Sequence, residues 1–323
     1  MEIYDLVKQT DKIMKKPILK KKLFFCESLL VLVLLNINIV AQYDVSNNIV
    51  NSRIELKNSS IRAKTTYNNV LLPNGKQIKV KSTFSEFDRE GNLTHLVIYL
   101  KDGSVATDVR HKYDGAKVTE TITKKSNSKM NTRTEYRYDP EGKLLGIDVY
   151  KESGEKLVES NYTYSDENLL LKMVTQNSDK SVYLDFSYKY NSDKKLIETV
   201  STDAQGKLQA LVKIEYDMNG NISEQMTFDS NNNLLQTTQK KYNADSKLIG
   251  ETILDGQGRV ISKFDRKYKN GEVEDIVANP AANILKRIVS KLNDKGIVIS
   301  KETYNKLNKK VSSVENNYEY FPQ

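Results

Sequence analysis

At 323 residues, with 38% hydrophobic and 28% charged residues, 19 Tyr and no Trp, the chain is too polar for a large compact α/β core. Its composition suits half-buried strands, because Tyr favours strands and can keep its hydroxyl in water. The formal charge is +8, of which the first 41 residues carry +3, and the remaining charges alternate in sign. That pattern belongs to a solvated surface, and nucleic acid is not an expected partner.

Residues 1–41 read as a secretory signal peptide. Lys15, Lys16, Lys20, Lys21 and Lys22 precede an apolar run, Leu29 to Leu35, extended by Ile37, Ile39 and Val40 and ending at Ala41. A basic segment, a short apolar segment and a small residue make an export signal, and the run is short for a spanning helix. Met14 is a better start than Met1, because the residues before it add acids and no apolar signal. The only cysteine, Cys26, lies inside this leader, so the mature chain is expected to lack thiol chemistry and disulfides. Residues 42–82 are degenerate, with a Pro73-Asn74-Gly75 turn, and are expected to cap the first edge of a sheet.

From residue 83 to 323 one turn-plus-strand unit recurs about nineteen times. A residue that is usually aromatic precedes each turn, and from Lys124 to Tyr268 the intervals alternate strictly between 14 and 12, so the true period is a pair of units, 26 residues long. Six residues after this marker comes an aliphatic residue, as in Tyr138 and Leu144, Tyr216 and Ile222, or Tyr242 and Leu248. Between them stand Asp or Asn, two variable residues, often Gly, then Lys, Asn or Arg. Asp and Asn open turns by bonding their own backbone, and Gly supplies positive φ.

The strands alternate. Val182, Leu184, Phe186, Tyr188 and Tyr190 are interleaved with polar residues, as are Val212, Ile214 and Tyr216. Leu234–Tyr242 is weaker, with Gln236, Thr238 and Lys240 on its core face. The segment containing Ile284, Leu285, Ile288, Val289 and Leu292 has helical spacing but keeps the repeat frame, which favours a strand. Even spacing is expected to keep successive markers on one face. The fold class is therefore all-β: a long antiparallel up-and-down meander of about twenty short strands. A flat sheet of that length would leave an apolar face in water, so coiling, folding over or a partner is expected.

The strings Tyr138-Asp139-Pro140-Glu141-Gly142-Lys143-Leu144, Tyr216-Asp217-Met218-Asn219-Gly220-Asn221-Ile222 and Leu254-Asp255-Gly256-Gln257-Gly258-Arg259-Val260 resemble the YD repeat of RHS-type proteins. The resemblance implies an exported or surface β protein, in that family often a spiral shell associated with toxin delivery, adhesion or sugar binding. The unit pair is longer than that family's repeat, Lys or Asn replaces the usual Arg, and only one Asp-Pro-x-Gly string occurs where the family's self-cleaving motif uses a pair. MORN-like antitoxin repeats also have Gly-Lys turns between strands and remain a second resemblance.

Little chemistry stands out. His95 and His111 are the only histidines and lie apart in a degenerate region. There is no phosphate-binding Gly-rich loop and no Cys/His cluster, and no cofactor is expected. Weak calcium candidates are Asp217, Asn219 and Asn221, then Asp229, Asn231 and Asn233, whose alternate oxygens suit a hard cation but equally suit plain turns. The leading expectation is a non-enzymatic scaffold, exported to the bacterial periplasm, cell surface or medium, with a protein or surface glycan partner and membrane contact only through the signal peptide. Two alternatives stay open: a secreted enzyme with its site within 43–120, and a shell or immunity component linked to a toxin.

Overall fold

The computed structural model describes residues 53–71, 76–126 and 131–322. The leader, its cleavage at Ala41, Cys26 and the Pro73 turn lie outside the described residues. A short helix, residues 53–58, is followed by twenty strands. They are β1 Ile61–Leu71, β2 Gln77–Phe87, β3 Leu93–Tyr99, β4 Val105–Asp114 and β5 Lys117–Lys125. Next come β6 Thr132–Tyr138, β7 Leu144–Lys151, β8 Lys156–Tyr164, β9 Leu170–Asn177 and β10 Val182–Tyr190. Then follow β11 Leu196–Thr202, β12 Leu208–Tyr216, β13 Ile222–Phe228, β14 Leu234–Tyr242 and β15 Leu248–Asp255. The last are β16 Val260–Lys269, β17 Glu272–Ala278, β18 Ile284–Leu292, β19 Val298–Asn305 and β20 Lys310–Tyr320.

Each strand pairs antiparallel with its neighbour in sequence, and β1 pairs with β20, so the meander closes into one barrel. Closure removes both edges and encloses one face of the sheet, which answers the problem a flat sheet would have posed. The segment with helical spacing is strand β18, as its repeat frame implied.

The described part of the expected cap, residues 53–71 and 76–82, departs from that expectation. The sheet has no free edge to cap, and β1 and β2 belong to the barrel, which starts at Ile61 rather than at residue 83. The signal was hidden because β1 reads Thr-Thr-Tyr-Asn-Asn in its middle and is held by polar contacts. Thr66 Oγ1 bonds Asn316 Oδ1 at 2.9 Å, and Asn69 Nδ2 donates to Glu315 Oε1 at 3.0 Å across the closing seam.

Most turns share one geometry, the two-residue turns between β4 and β5 and between β16 and β17 excepted. Asp217 N–H donates to the Asn221 carbonyl at 2.8 Å, and Gly220 N–H donates to the Asp217 carbonyl at 2.9 Å. Gly220 has φ +83°, the left-handed residue that closes a three-residue hairpin loop. The strand leaving the turn then skips one residue: Tyr216 faces Ile222, but Glu215 faces Glu224, leaving Ser223 as a bulge.

That slip corrects the parity expectation. Residues directly opposite share a face. Phe228 faces Leu211 and so lies on the face opposite Tyr216, although 12 residues separate the two markers. Successive markers alternate faces, and the original face returns only after two bulges, which is why the pair of units is the period.

The face carrying the Tyr138, Tyr164, Tyr190 and Tyr216 markers is the inner one, because its middle strands are buried. Met173 is fully buried, and Phe186, Tyr188, Leu196, Ile214 and Ile222 are nearly so, with Ser160, Thr175, Thr199 and Ser201 among them. The outer wall carries cross-strand ion pairs, such as Lys189–Glu198 at 2.6 Å, Lys172–Asp185 at 2.7 Å and Arg137–Asp148 at 2.9 Å. Each of these pairs keeps a largely exposed cation beside a more covered acid and adds on the order of 1 kcal/mol, so apolar burial on the inner face is the larger stabilising effect. The inner face turns polar at β14, where Gln236 faces Asp255 and Lys240 faces Glu251. On β16 the Arg266 guanidinium forks onto Asp275 at 2.7 and 2.9 Å. The weak strand of the sequence is thus paired with polar neighbours.

Candidate functional site: the turns and the tyrosine ladder

The motif residues gather at the barrel ends. At the end formed by even-to-odd turns, the hydroxyls of Tyr113, Tyr138, Tyr164, Tyr190, Tyr216, Tyr242, Tyr268 and Tyr318 each donate to a backbone carbonyl twenty residues earlier, at 2.8 to 3.2 Å. The acceptor lies at the start of the preceding strand, so each phenol except Tyr318, on the last strand, links its own turn to the neighbouring turn at the same end. Tyr138 bonds Val118, Tyr216 bonds Leu196 and Tyr242 bonds Ile222, while Leu144, Ile222 and Leu248 sit opposite those same tyrosines across the turn.

The turn lysine of one hairpin lies over the tyrosine of the next. Lys143 Nζ is 5.4 Å from the Tyr164 ring, Lys195 is 5.2 Å from Tyr216 and Lys247 is 5.6 Å from Tyr268. Such stacks are worth about 0.5–1 kcal/mol at exposed sites. Burial pushes the Tyr113 and Tyr318 phenols up to about 12 and raises Tyr138 and Tyr164 as well. Phenols and rings are committed to the barrel. A glycan platform would need bare ring faces, and here the turn lysines cover several.

The calcium candidates are turn acceptors. Asp217 Oδ1 accepts from Asn219 N–H and Asn221 N–H, each at 2.9 Å, and Oδ2 accepts from Asn221 Nδ2 at 3.1 Å. Asp229 does the same with Asn231 at 2.8 Å and Asn233 at 2.9 and 3.2 Å. The side-chain amide of Asn221 first, and the backbone N–H of Asn233 for Asp229, hold these carboxyls below the usual range. Among the described residues no His, Cys, Asp and Glu group is arranged to hold a metal. Asp139 and Gly142 make the same turn, with Lys143 N–H donating to Asp139 Oδ1 at 2.7 Å.

The histidines are less isolated than their spacing suggested. On the outer wall His95 Nδ1 meets Glu86 Oε2 at 3.0 Å and Nε2 meets Asp108 Oδ2 at 3.1 Å, which brackets the ring on strands β2 to β4. Glu86 and Asp108 precede and follow His95 on neighbouring strands, and only the register of the ladder brings them together. His111 faces inward, its Nδ1 2.8 Å from Thr121 Oγ1, which is 3.3 Å from the Tyr136 hydroxyl. Burial lowers the His111 imidazole below its ordinary value. The two rings lie on opposite faces of the sheet and do not form a joint site.

These features define a closed up-and-down β-barrel made from a tandem 26-residue hairpin repeat. A family model described only as an uncharacterised protein matches residues 74–214. Comparison with curated proteins finds no match. Among solved structures the chain is similar to a TcdB2-TccC3-Cdc42 crystal structure, at 12% identity over 76% of this chain with a TM-score of 0.29, and spans 18% of that chain. It is also similar to a porin-like protein from Bacteroides uniformis, at 11% identity over 80% of this chain and 98% of that one, with a TM-score of 0.35. A third likeness is to the Tc holotoxin pore of Photorhabdus luminescens, at 9% identity over 78% of this chain and 18% of that one, with a TM-score of 0.23. All three TM-scores are low, and none of these likenesses carries the functional argument.

Proposed function

We propose that this protein is a non-enzymatic scaffold, exported to the periplasm, cell surface or medium, whose outer wall and turns engage a protein or glycan partner. The resemblance of its turns to RHS-type YD repeats belongs to the same reading. The observation that supports it best is that the residues most like a functional signature are spent on architecture: the marker phenols bond backbone carbonyls, and the turn carboxylates accept their own N–H groups. A pull-down and glycan-array screen with the full chain is the test. A reproducible ligand lost on charge reversal of outer-wall residues is expected, and no reproducible ligand in either screen overturns the reading.

The competing enzyme reading places His95 or His111 at a site. Alanine at both positions is expected to leave every cellular phenotype intact, and loss of a phenotype with the barrel still folded would favour the enzyme. Closure of the sheet supports the shell or immunity reading, which co-expression with a neighbouring toxin gene tests.

A further inference from the structure

One arc of the barrel rim, at the end opposite the tyrosine ladder, is apolar and exposed. Leu235, Ile261, Ile284, Leu285, Leu307 and Val311 are between 44% and 77% exposed. They belong to β14, β16, β18, β20 and the β19–β20 turn, which all meet at this end. Leu235, Ile261, Leu285 and Val311 are the residues skipped by the ladder on their strands. The repeat therefore sets them at one level, two strands or about 10 Å apart. On β12 the same position is Gln209, so the aliphatic row begins at β14.

Cations flank this row. Among the described residues no acid pairs with Lys263, Lys306 or Lys309, while Arg259 is held by Asp255 and Lys310 by Glu302. Elsewhere on the outer wall cross-strand ion pairs hold cations such as Lys172, Lys189 and Arg137. A second copy docking rim to rim would press these unmatched lysines against one another. A planar anionic surface would instead meet aliphatic groups and cations together.

We propose that this arc docks the barrel on an anionic lipid surface, the aliphatic row entering the headgroup region and Lys263, Lys306 and Lys309 meeting lipid phosphates. This contact is additional to the leader expected from the sequence, and it lies within the barrel itself.

The chain contains no Trp, so one introduced Trp reports a single location. The test uses the full chain carrying Leu307→Trp at this rim or Met218→Trp at the opposite rim, where Met218 is fully exposed. Vesicles are phosphatidylcholine with or without phosphatidylglycerol at about 30%, enough to give a negative surface potential. With anionic vesicles the emission of the Leu307→Trp chain shifts to the blue and that of the Met218→Trp chain does not. Adding Lys263→Glu, Lys306→Glu and Lys309→Glu weakens vesicle binding by at least about tenfold, with far-UV circular dichroism unchanged. The proposal fails if vesicles carry the protein down while the emission of the Leu307→Trp chain stays put, since the leader alone then holds it. It fails equally if the shift occurs without lipid and grows with protein concentration, which assigns the rim to a second copy. Equal binding to pure phosphatidylcholine also overturns it.

Discussion

The Tyr216 hydroxyl donates to the Leu196 carbonyl at 2.8 Å, twenty residues back in the chain at the start of the preceding strand. The bond recurs along the ladder and ties each turn to its neighbour, so the tyrosine that marks the repeat in sequence is also its cross-link in space. Replacing Tyr216 by Phe keeps the ring and removes one donor. It is expected to cost about 1 kcal/mol, read as a lower urea midpoint at constant slope. An unchanged midpoint would mean that water satisfies the carbonyl equally well.

Several turns place a side-chain residue where Gly is preferred. Lys194 has φ +60° and Ala282 has φ +61°. A left-handed L residue costs roughly 1–2 kcal/mol, partly offset by the extra freedom Gly has when unfolded. Lys194→Gly and Ala282→Gly are expected to raise stability by about 0.5 kcal/mol each. Gly206→Ala, at φ +75° with open space around it, is expected to lower stability by about 1 kcal/mol. Thermal melts of the three variants check the signs, and stabilisation by Gly206→Ala would refute the turn assignment.

Gly146 makes room for a side chain. A Cβ there would collide with the Arg137 guanidinium and lie 2.6 Å from the Ser160 carbonyl. Arg137 lies across this gap to reach Asp148 at 2.9 Å and Asn161 at 2.8 Å. Gly146→Ala is expected to cost about 1–3 kcal/mol. A double-mutant cycle with Arg137→Ala should show coupling, because removing the guanidinium relieves part of the clash. Strict additivity would place the cost in the backbone instead.

Alkali should unfold the barrel through its phenols. Tyr113 and Tyr318 are pushed up to about 12, and Tyr162 and Tyr188 are also raised, in each case first by burial. A raised phenol holds its proton more tightly in the folded state. Its stabilisation is therefore fully present below the unfolded value near 10 and is lost as pH rises through the folded value. Ultraviolet titration should show Tyr113, Tyr162, Tyr188 and Tyr318 ionising only together with loss of the β signal. Smooth titration of all 19 Tyr at about pH 10 with the fold intact would contradict the buried inner face.

Acid acts on the turns with the opposite sign. The carboxyls of Asp217, Asp229 and Asp255 are lowered by hydrogen bonds within their turns, Asp255 first by the Arg259 side chain. Their contribution is present above the unfolded value of about 4 and is lost as pH falls below it. Asp217→Ala combined with Asp229→Ala should flatten the stability profile in that range. Calcium should leave the melting temperature of the native chain unchanged, and a rise would revive the metal reading of these loops.

Most strands were legible because apolar alternation and turn residues recur in phase. At Ile284–Leu292 a local helical spacing yields to the frame set by its neighbours. Strand β1 was not legible: Thr65, Thr66, Asn68 and Asn69 carry no apolar alternation, and one of their two partner strands, β20, lies at the far end of the chain. The facing of the markers was also hidden, because a bulge such as Ser223 changes parity without changing the spacing that the sequence displays. Nothing in the spacing of Glu86, His95 and Asp108 announces that two carboxylates bracket the imidazole.

By itself the sequence determined the local units of this protein, since Asp, Asn and Gly set the turns and strand alternation sets the faces, and both act over a few residues. The tertiary structure alone decided that the meander closes, that Tyr216 and its counterparts bond the carbonyls opening the preceding strand, and that the turn lysines stack on the next hairpin's rings. Those relations depend on accumulated twist and on bulge register summed over twenty strands. No single repeat contains that sum.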